Sequence, residues 1–406
     1  MLFKRLSHLL AGLHIHKLLL NAAVSRTRMI KYVNMQEKEL LMIPGPTPVP
    51  ESVLQAMAKH PIGHRSPGFS KIFMNATEKL QWLGQTKNDV FIYTASGTGA
   101  MEAAIANTIN RGDKVLSLVI GVFGKRFADI AELYGAEVTR IEKEPGKCVS
   151  PQELQEALTK GPYKAVTLTH SETSTGTVND IDTLIPLIKK SNPDTLIMLD
   201  AVTSLGCMNV PIDKLEIDVC ISGSQKGFML PPGLSFIYVS DKAYKAKESC
   251  TTPVFYFCWK EAKKALADKT TPWTPNVSLI VALERALEIM HEEGLENIIS
   301  RHKRLRDTLR QGLRDLGLKL LTEDASASCA ITAIWPPEGV NVPDLRKAFK
   351  QDWNITVANG QRHLKDKLFR MGHLGFVCDR DILTGLAALR EVLVKLGYTI
   401  PEKIHA

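Results

Sequence analysis

Apolar runs and amphipathic stretches alternate along most of this chain. Helical periodicity covers about residues 70–85, and a strand-like run, Val90–Thr94, follows it. A helix is then predicted to about Asn110. Further short apolar runs fall at Val115–Val119, at about 137–141 and 165–169, from Leu196 to Asp200, at Val219–Ile221 and at Ser235–Val239. Helix-length segments separate them, one predicted over 180–190. This β-α-β-α rhythm predicts an α/β fold with a large, doubly wound, mostly parallel seven-stranded sheet, closed by Ser235–Val239. The rhythm breaks over 250–275, where Tyr256, Phe257 and Trp259 precede the run Thr270-Thr-Pro-Trp-Thr-Pro275. Helix 277–293 and a long basic helix near 295–316 come next. The remainder, to about residue 400, reads as a smaller C-terminal α+β domain. Its elements are a strand near 328–335, helix 343–351, strand 354–358 and helix 380–396, with Arg370 in a strand-like stretch before the last helix.

Ahead of these elements lies Leu40-Leu-Met-Ile-Pro-Gly-Pro-Thr-Pro-Val-Pro50. Its prolines bar both a helix interior and a central strand, so it reads as an arm draped over the domain surface or a partner. The expected division is therefore a basic extension over 1–36, an arm over 37–50, a large domain over 51–295 and a small domain over 296–406.

Composition changes this picture little. The chain has 406 residues, 44% apolar and 23% charged, as an ordinary globular protein has. It holds no run of about 18 apolar residues, so no membrane span is expected. The net charge is +8, and six cations precede the first acid, Glu37: Lys4, Arg5, Lys17, Arg26, Arg28 and Lys31. No basic stripe interleaved with aromatics remains, so a nucleic-acid partner is not expected. Residues 1–36 read as a mitochondrial-type presequence, as a dispensable extension of a cytoplasmic protein, or as the product of an upstream start codon with Met35 as the true start. The seven cysteines are scattered, with no C-x-x-C pair. That argues against a disulfide framework and a structural zinc site, and no metal is expected.

The candidate chemistry sits at predicted strand ends, where parallel sheets place their sites. The strand at Val219–Ile221 runs into Ser222-Gly-Ser-Gln-Lys226, and the strand from Leu196 ends on Asp200. An acid that stays ionised beside a reactive lysine suits pyridoxal 5'-phosphate (PLP). The lysine forms a Schiff base with the cofactor aldehyde, and the carboxylate keeps the pyridine nitrogen protonated. In Ala95-Ser-Gly-Thr-Gly-Ala-Met-Glu102 the glycines let backbone N–H groups crowd an anion at a helix N-terminus. The third glycine of a dinucleotide fingerprint is absent, and the next strand ends in Ile120-Gly121 rather than an acid. A phosphate monoester fits better. Phe123, between Gly121 and Gly124, is a candidate to lie on a planar ring. Thr169-His-Ser-Glu-Thr-Ser-Thr-Gly176 is a hydroxyl-rich loop, and His64 and Arg65 are loop candidates for facing an anion. Arg370 offers a fork of donors for a carboxylate.

Pro44-Gly-Pro46, Ser96-Gly-Thr-Gly99, His170–Gly176, Asp200-Ala-Val-Thr-Ser204, Gly223-Ser-Gln-Lys226 and Arg370 occur in the order seen in class V PLP-dependent aminotransferases. Over about residues 38–398 the chain most resembles their alanine–glyoxylate / serine–glyoxylate (serine–pyruvate) branch. That resemblance implies PLP-transferase fold type I and a homodimer with shared active sites. It implies that Lys226 carries the cofactor and moves the substrate proton, and that Asp200 holds the pyridinium. Val202 and Phe123 would cover the two ring faces, and Thr173 would reach the phenolic oxygen. Gly97, Thr98, Gly99 and Gln225 would bind the phosphate, completed by Thr274 of the partner subunit. Arg370 would clamp the substrate carboxylate, with Gly45 also at the substrate. The reaction implied is ping-pong transfer from an amino-acid donor, L-alanine or L-serine, to the 2-oxo acid glyoxylate, giving pyruvate or hydroxypyruvate and glycine. Alternatives are 3-hydroxykynurenine or aminoethylphosphonate transamination, cysteine desulfuration (for which Cys329 and Cys378 lack the expected loop context), or a non-catalytic subunit of a larger complex.

Overall fold

A computed structural model describes residues 38–401 of the chain. The basic extension over 1–36, with the readings given for it, lies outside the described residues. The first strand, β1 (Leu40–Met42), belongs to a small sheet. The large sheet begins with β2 (Asp89–Tyr93), β3 (Lys114–Val119), β4 (Glu137–Glu142) and β5 (Ala165–Thr169). A short hairpin follows, β6 (Ser171–Glu172) with β7 (Thr177–Val178). The large sheet then takes β8 (Leu196–Asp200), β9 (Val219–Gly223) and β10 (Ser235–Val239).

Its seven strands lie in the order β2-β10-β9-β8-β5-β3-β4. Every residue of β5, β8 and β9 is buried, which is why these segments read as continuous apolar runs. The edge strand β4 carries Glu137, Arg140 and Glu142 instead. The predicted parallel sheet is present, with one difference. β10 does not close the sheet at an edge; it inserts antiparallel between β9 and β2. The connection from β9 to β10 holds no helix, and antiparallel pairing is what a connection without a crossover helix allows.

Helices cover the sheet and begin at recognisable caps. Ser66 accepts from Phe69 N–H at the start of Pro67–Gly84, and Asn276 accepts from Leu279 N–H at the start of Val277–Glu293. The proline-flanked stretch over 250–275 also holds a helix, Trp259–Ala267. Its Trp259 is fully buried in a cluster with Phe91 and Tyr93 of β2.

The small sheet adds β11 (Ile331–Ile334), β12 (Ile355–Asn359) and β13 (Phe369–Gly372), in the order β1-β12-β13-β11. β1 pairs parallel to β12, Leu40 opposite Ile355. The arm expected to drape over the surface therefore starts as an edge strand, and pairing stops where the prolines begin. Met42 is fully buried with Leu305, Phe349, Phe369 and Leu389, in a cluster separate from those flanking the large sheet. On that separation we propose a domain boundary near residue 295. Among the described residues, no helix is long and apolar enough to cross a membrane.

Candidate functional site

The segments following β2, β3, β5, β8 and β9 open into one cavity of about 540 Å³, walled on its other side by the arm, β12 and Arg370 of β13. Parallel strands deliver these segments to one edge of the sheet, so residues far apart in sequence converge. Lys226 leaves β9 through a turn and is 8% exposed. Its Nζ donates to the Pro44 carbonyl oxygen (2.5 Å), and its own carbonyl accepts from Thr47 Oγ1 (3.1 Å). The arm thus lies directly over the lysine. Gly45 is at φ +139°, and a Cβ there would come within 2.9 Å of both Gln225 O and Lys226 Cδ. Only glycine permits that backbone and that approach.

Burial, and then the charge of Arg370, pulls the Lys226 ammonium down to about 8. Asp200, at the end of β8, accepts from Val202 N–H (3.0 Å) and Thr169 Oγ1 (3.3 Å). Burial pushes its carboxyl up to about 7. An acid that stays ionised was expected; here burial, with the like charge of Glu172, outweighs the Val202 N–H, Thr169 Oγ1 and Lys226 that favour the carboxylate. A cationic group opposite it would lower that value. Arg370 donates from Nε to Asn359 O (2.8 Å) and from Nη1 to Thr173 O (2.7 Å), which fixes its guanidinium at the cavity wall. Burial lowers it to about 10, and Arg346 acts in the same direction.

Gly97, Thr98, Phe123, Thr173, Val202 and Gln225 all line this cavity with Lys226, Asp200, Arg370 and Gly45. Gly99 does not. It lies one residue further along the helix Gly97–Thr108, where a Cβ would meet Phe257 at 3.0 Å, so its smallness serves helix packing. Thr274 is exposed and does not line the cavity of its own chain. Arg65 does not line it either; its Nη1 holds Thr270 Oγ1 (3.2 Å) and Thr271 O (3.0 Å), and Thr270 Oγ1 in turn donates to His64 O (3.0 Å). Both loop candidates therefore anchor the segment before Thr274 rather than face the cavity.

Four groups had no assigned role at the level of sequence. Glu172 is fully buried, and its carboxylate accepts from Phe123 N–H (2.9 Å), Gly124 N–H (3.2 Å), Ser174 N–H (3.0 Å) and Ser174 Oγ (2.6 Å). It caps the helix Val122–Leu133, whose Gly121 cap has no side chain to do so, and so places Phe123. An acid among hydroxyls at a strand end was its signal. Arg126 donates to Thr98 Oγ1 (2.9 Å) and lies 4.6 Å from the Phe123 ring centroid. Arg346 and Gln361 line the far wall.

Residues 40–375 match the family model described as aminotransferase class V, and the chain belongs to that family. It is 49% identical over 368 residues to a protein of Synechococcus sp. (strain PCC 6716) described as the small subunit of a soluble hydrogenase, covering 90% of this chain and 95% of that one. It is 35% identical to an L-aspartate–glyoxylate aminotransferase of Paracoccus denitrificans, covering 90% of this chain and 94% of that one. Among solved structures it resembles an alanine–glyoxylate aminotransferase from Nostoc sp., with a TM-score of 0.84 and 33% identity over 88% of this chain and 96% of that one.

This family implies pyridoxal phosphate, and the residues present fit it. The first-turn N–H groups of the helix Gly97–Thr108 reach the cavity without a side-chain cap, since Ser96 makes no capping bond. A Cβ at Gly97 would come within 2.8 Å of Val202 Cγ2, so glycine keeps backbone and Val202 together at the wall. Gln225 Oε1 is buried with no hydrogen-bond partner among the described residues. That oxygen can only accept, so toward an anionic phosphate Gln225 would present its Nε2 amide instead. Among the described residues, no group of three or more His, Cys, Asp or Glu side chains is placed to hold a metal ion.

Proposed function

We propose that the protein is a PLP-dependent aminotransferase that moves the amino group of L-alanine or L-serine to glyoxylate, giving pyruvate or hydroxypyruvate and glycine. The observation that carries this reading is one cavity holding a buried lysine with a pKa of about 8, a buried acid and a backbone-anchored arginine. Lys226 would hold the cofactor covalently, Asp200 would face its ring nitrogen, and Gly97, Thr98, Gln225 and Arg126 would surround its phosphate. When bound, the cofactor supplies an electron-accepting ring. Arg370 binds the donor carboxylate through the donors it does not spend on Asn359 and Thr173. Lys226, freed as a neutral amine near pH 8, takes the proton from the substrate Cα. The arm at Pro44 and Gly45 keeps water from the lysine.

Donor identity varies among relatives of this similarity, since the Paracoccus protein is named for aspartate. The motif order and the Nostoc neighbour favour the small donors, over 3-hydroxykynurenine or aminoethylphosphonate. Desulfuration lacks a thiol at the site: Cys329 is buried, Cys378 is exposed at a helix start, and neither lines the cavity. A non-catalytic subunit would have no use for Lys226, Asp200 and Arg370 together. We place the activity in the cytoplasm, and in a homodimer.

The test is the visible absorption of the purified protein beside Lys226→Ala. The band should bleach with L-alanine or L-serine, return with glyoxylate, and be absent or unresponsive in the variant. A colourless protein that takes up no PLP would refute the reading.

A further inference from the structure

The arm is one of two segments packed against the backbone of Lys226. The other is Gly375, a few residues beyond Arg370 and β13. Gly375 is buried, and a Cβ there would come within 3.0 Å of both Lys226 O and Thr47 Oγ1. Glycine lets the two backbones meet.

The helix Leu295–Asp315 takes both backbone polar groups of Gly375, through Arg301 and His302. Gly375 N–H donates to His302 Nε2 (3.1 Å), and His302 Nδ1 donates to Ile298 O (2.7 Å), one turn earlier on the same helix. A carbonyl only accepts and a backbone N–H only donates, so this imidazole is neutral, with its proton on Nδ1. Its surroundings agree: burial pulls the fully buried His302 down to about 3, and the charge of Arg301 acts in the same direction. The Gly375 carbonyl accepts from Arg301 Nη1 (3.0 Å), which also donates to Val377 O (3.2 Å). Arg301 gives Nε and Nη2 to the Glu293 carboxylate (2.6 and 3.0 Å), at the end of the helix Val277–Glu293. That bidentate pair fixes the guanidinium in turn. Without the imidazole, Gly375 N–H would be left to the Cys207 thiol, a weak acceptor.

We propose that Arg301 and His302 are positioning residues for Lys226: by holding Gly375 at its N–H and its carbonyl, they fix the backbone on which the lysine stands, and so its amine for taking the substrate Cα proton. Neither lines the cavity, so both act through Gly375. Arg370 is held separately, by Asn359 and Thr173, so the clamp bears on proton transfer rather than on donor binding. The inference rests on the amino-transfer reading for the reaction that it serves.

The experiment compares the holoenzyme with His302→Leu, which keeps apolar bulk and loses the acceptor, and His302→Gln, which keeps an acceptor within reach of Gly375. With L-alanine and glyoxylate, kcat should fall at least about tenfold in His302→Leu while the KM for L-alanine stays within about threefold, the pattern of a base displaced without loss of binding. His302→Gln should recover most of that loss. A second measurement does not depend on turnover. Met229 N–H donates to Lys226 O (3.1 Å), so its hydrogen exchange reports on the lysine's backbone. Mass spectrometry should show the peptides carrying Gly375 and Met229 both exchanging faster in His302→Leu, and less so in His302→Gln. Wild-type kcat in His302→Leu would overturn the proposal. So would a KM that rises as far as kcat falls, or exchange that quickens at Gly375 and not at Met229. If His302→Leu does not fold, Arg301→Lys decides, because one ammonium cannot hold Glu293 and both carbonyls together: kcat should fall with KM held, and wild-type kcat would overturn the proposal. If the wild type transfers no amino group, the amino-transfer reading fails instead, and exchange at Met229 still decides whether His302 seats Lys226.

Discussion

Lys226 owes its reactivity to its surroundings. A lysine in water is protonated up to about pH 10.4 and is then no nucleophile. Here burial strips hydration from the ammonium and Arg370 adds repulsion, so the amine becomes neutral as pH rises through about 8. The neutral amine is the form that attacks an aldehyde. Capture of PLP by protein stripped of its cofactor should therefore quicken as pH rises through that value and level off above it. Arg370→Gln removes a charge that favours the neutral amine, so the midpoint should move to higher pH. Stopped-flow absorbance across a pH series measures both, and a midpoint unmoved by the substitution would show that burial alone sets it. Asp200 has the opposite sign: burial pushes its carboxyl up to about 7, and the charge of Lys226 offsets that only in part.

Among the elements, β1 does the most with the fewest residues. Its three residues extend the small sheet, and Met42 fills the core beneath it. Gly385 leaves room for the Met42 sulfur; a Cβ there would collide with it. Two residues later the chain reaches Pro44, whose carbonyl holds Lys226. Met42→Ala should cost about 2–5 kcal/mol in urea unfolding, as other buried methionine truncations do. A loss within 0.5 kcal/mol, about that of a surface change, would mean that β1 is not part of the core. The elements also show what sequence could reveal. Asp200 and Lys226 stood out because each follows an apolar run long enough to be a buried strand. β1 did not, because three residues before a run of prolines carry no period. The helix Trp259–Ala267 was hidden by the aromatics and prolines around it. Arg346 was invisible for another reason: an arginine on an amphipathic helix is ordinarily a solvated one, and only the fold brings it to the Lys226 cavity. Glu172 was visible as an acid in a polar loop, but its task depends on a helix whose cap, Gly121, lacks a side chain.

For the molecule as a whole, the segment carrying Thr274 points to a second copy of the chain. Phe255 is 78% exposed and stacks on Trp273, ring centroids 4.9 Å apart, while Tyr256 is 40% exposed. Trp273 Nε1 donates to Tyr256 O (2.8 Å), which ties the three residues into one outward-facing apolar group. Such a cluster on an exposed loop marks an association surface. Thr274 follows it immediately, is exposed, and does not reach the cavity of its own chain. Arg65, by gripping Thr270 and Thr271, keeps the whole segment in place. We propose that two chains meet through these aromatics, and that Thr274 of the partner subunit completes the phosphate site. Trp273→Glu puts a charge into the apolar contact, where desolvating it costs more than the contact returns. Light scattering should then show the dimer giving way to monomer, and PLP affinity should fall at least about tenfold, because the Thr274 contact to the phosphate leaves with the partner. A variant that stays dimeric and holds PLP as tightly as wild type would place the interface elsewhere. A variant that turns monomeric yet keeps its cofactor would leave the dimer standing and remove Thr274 from the site.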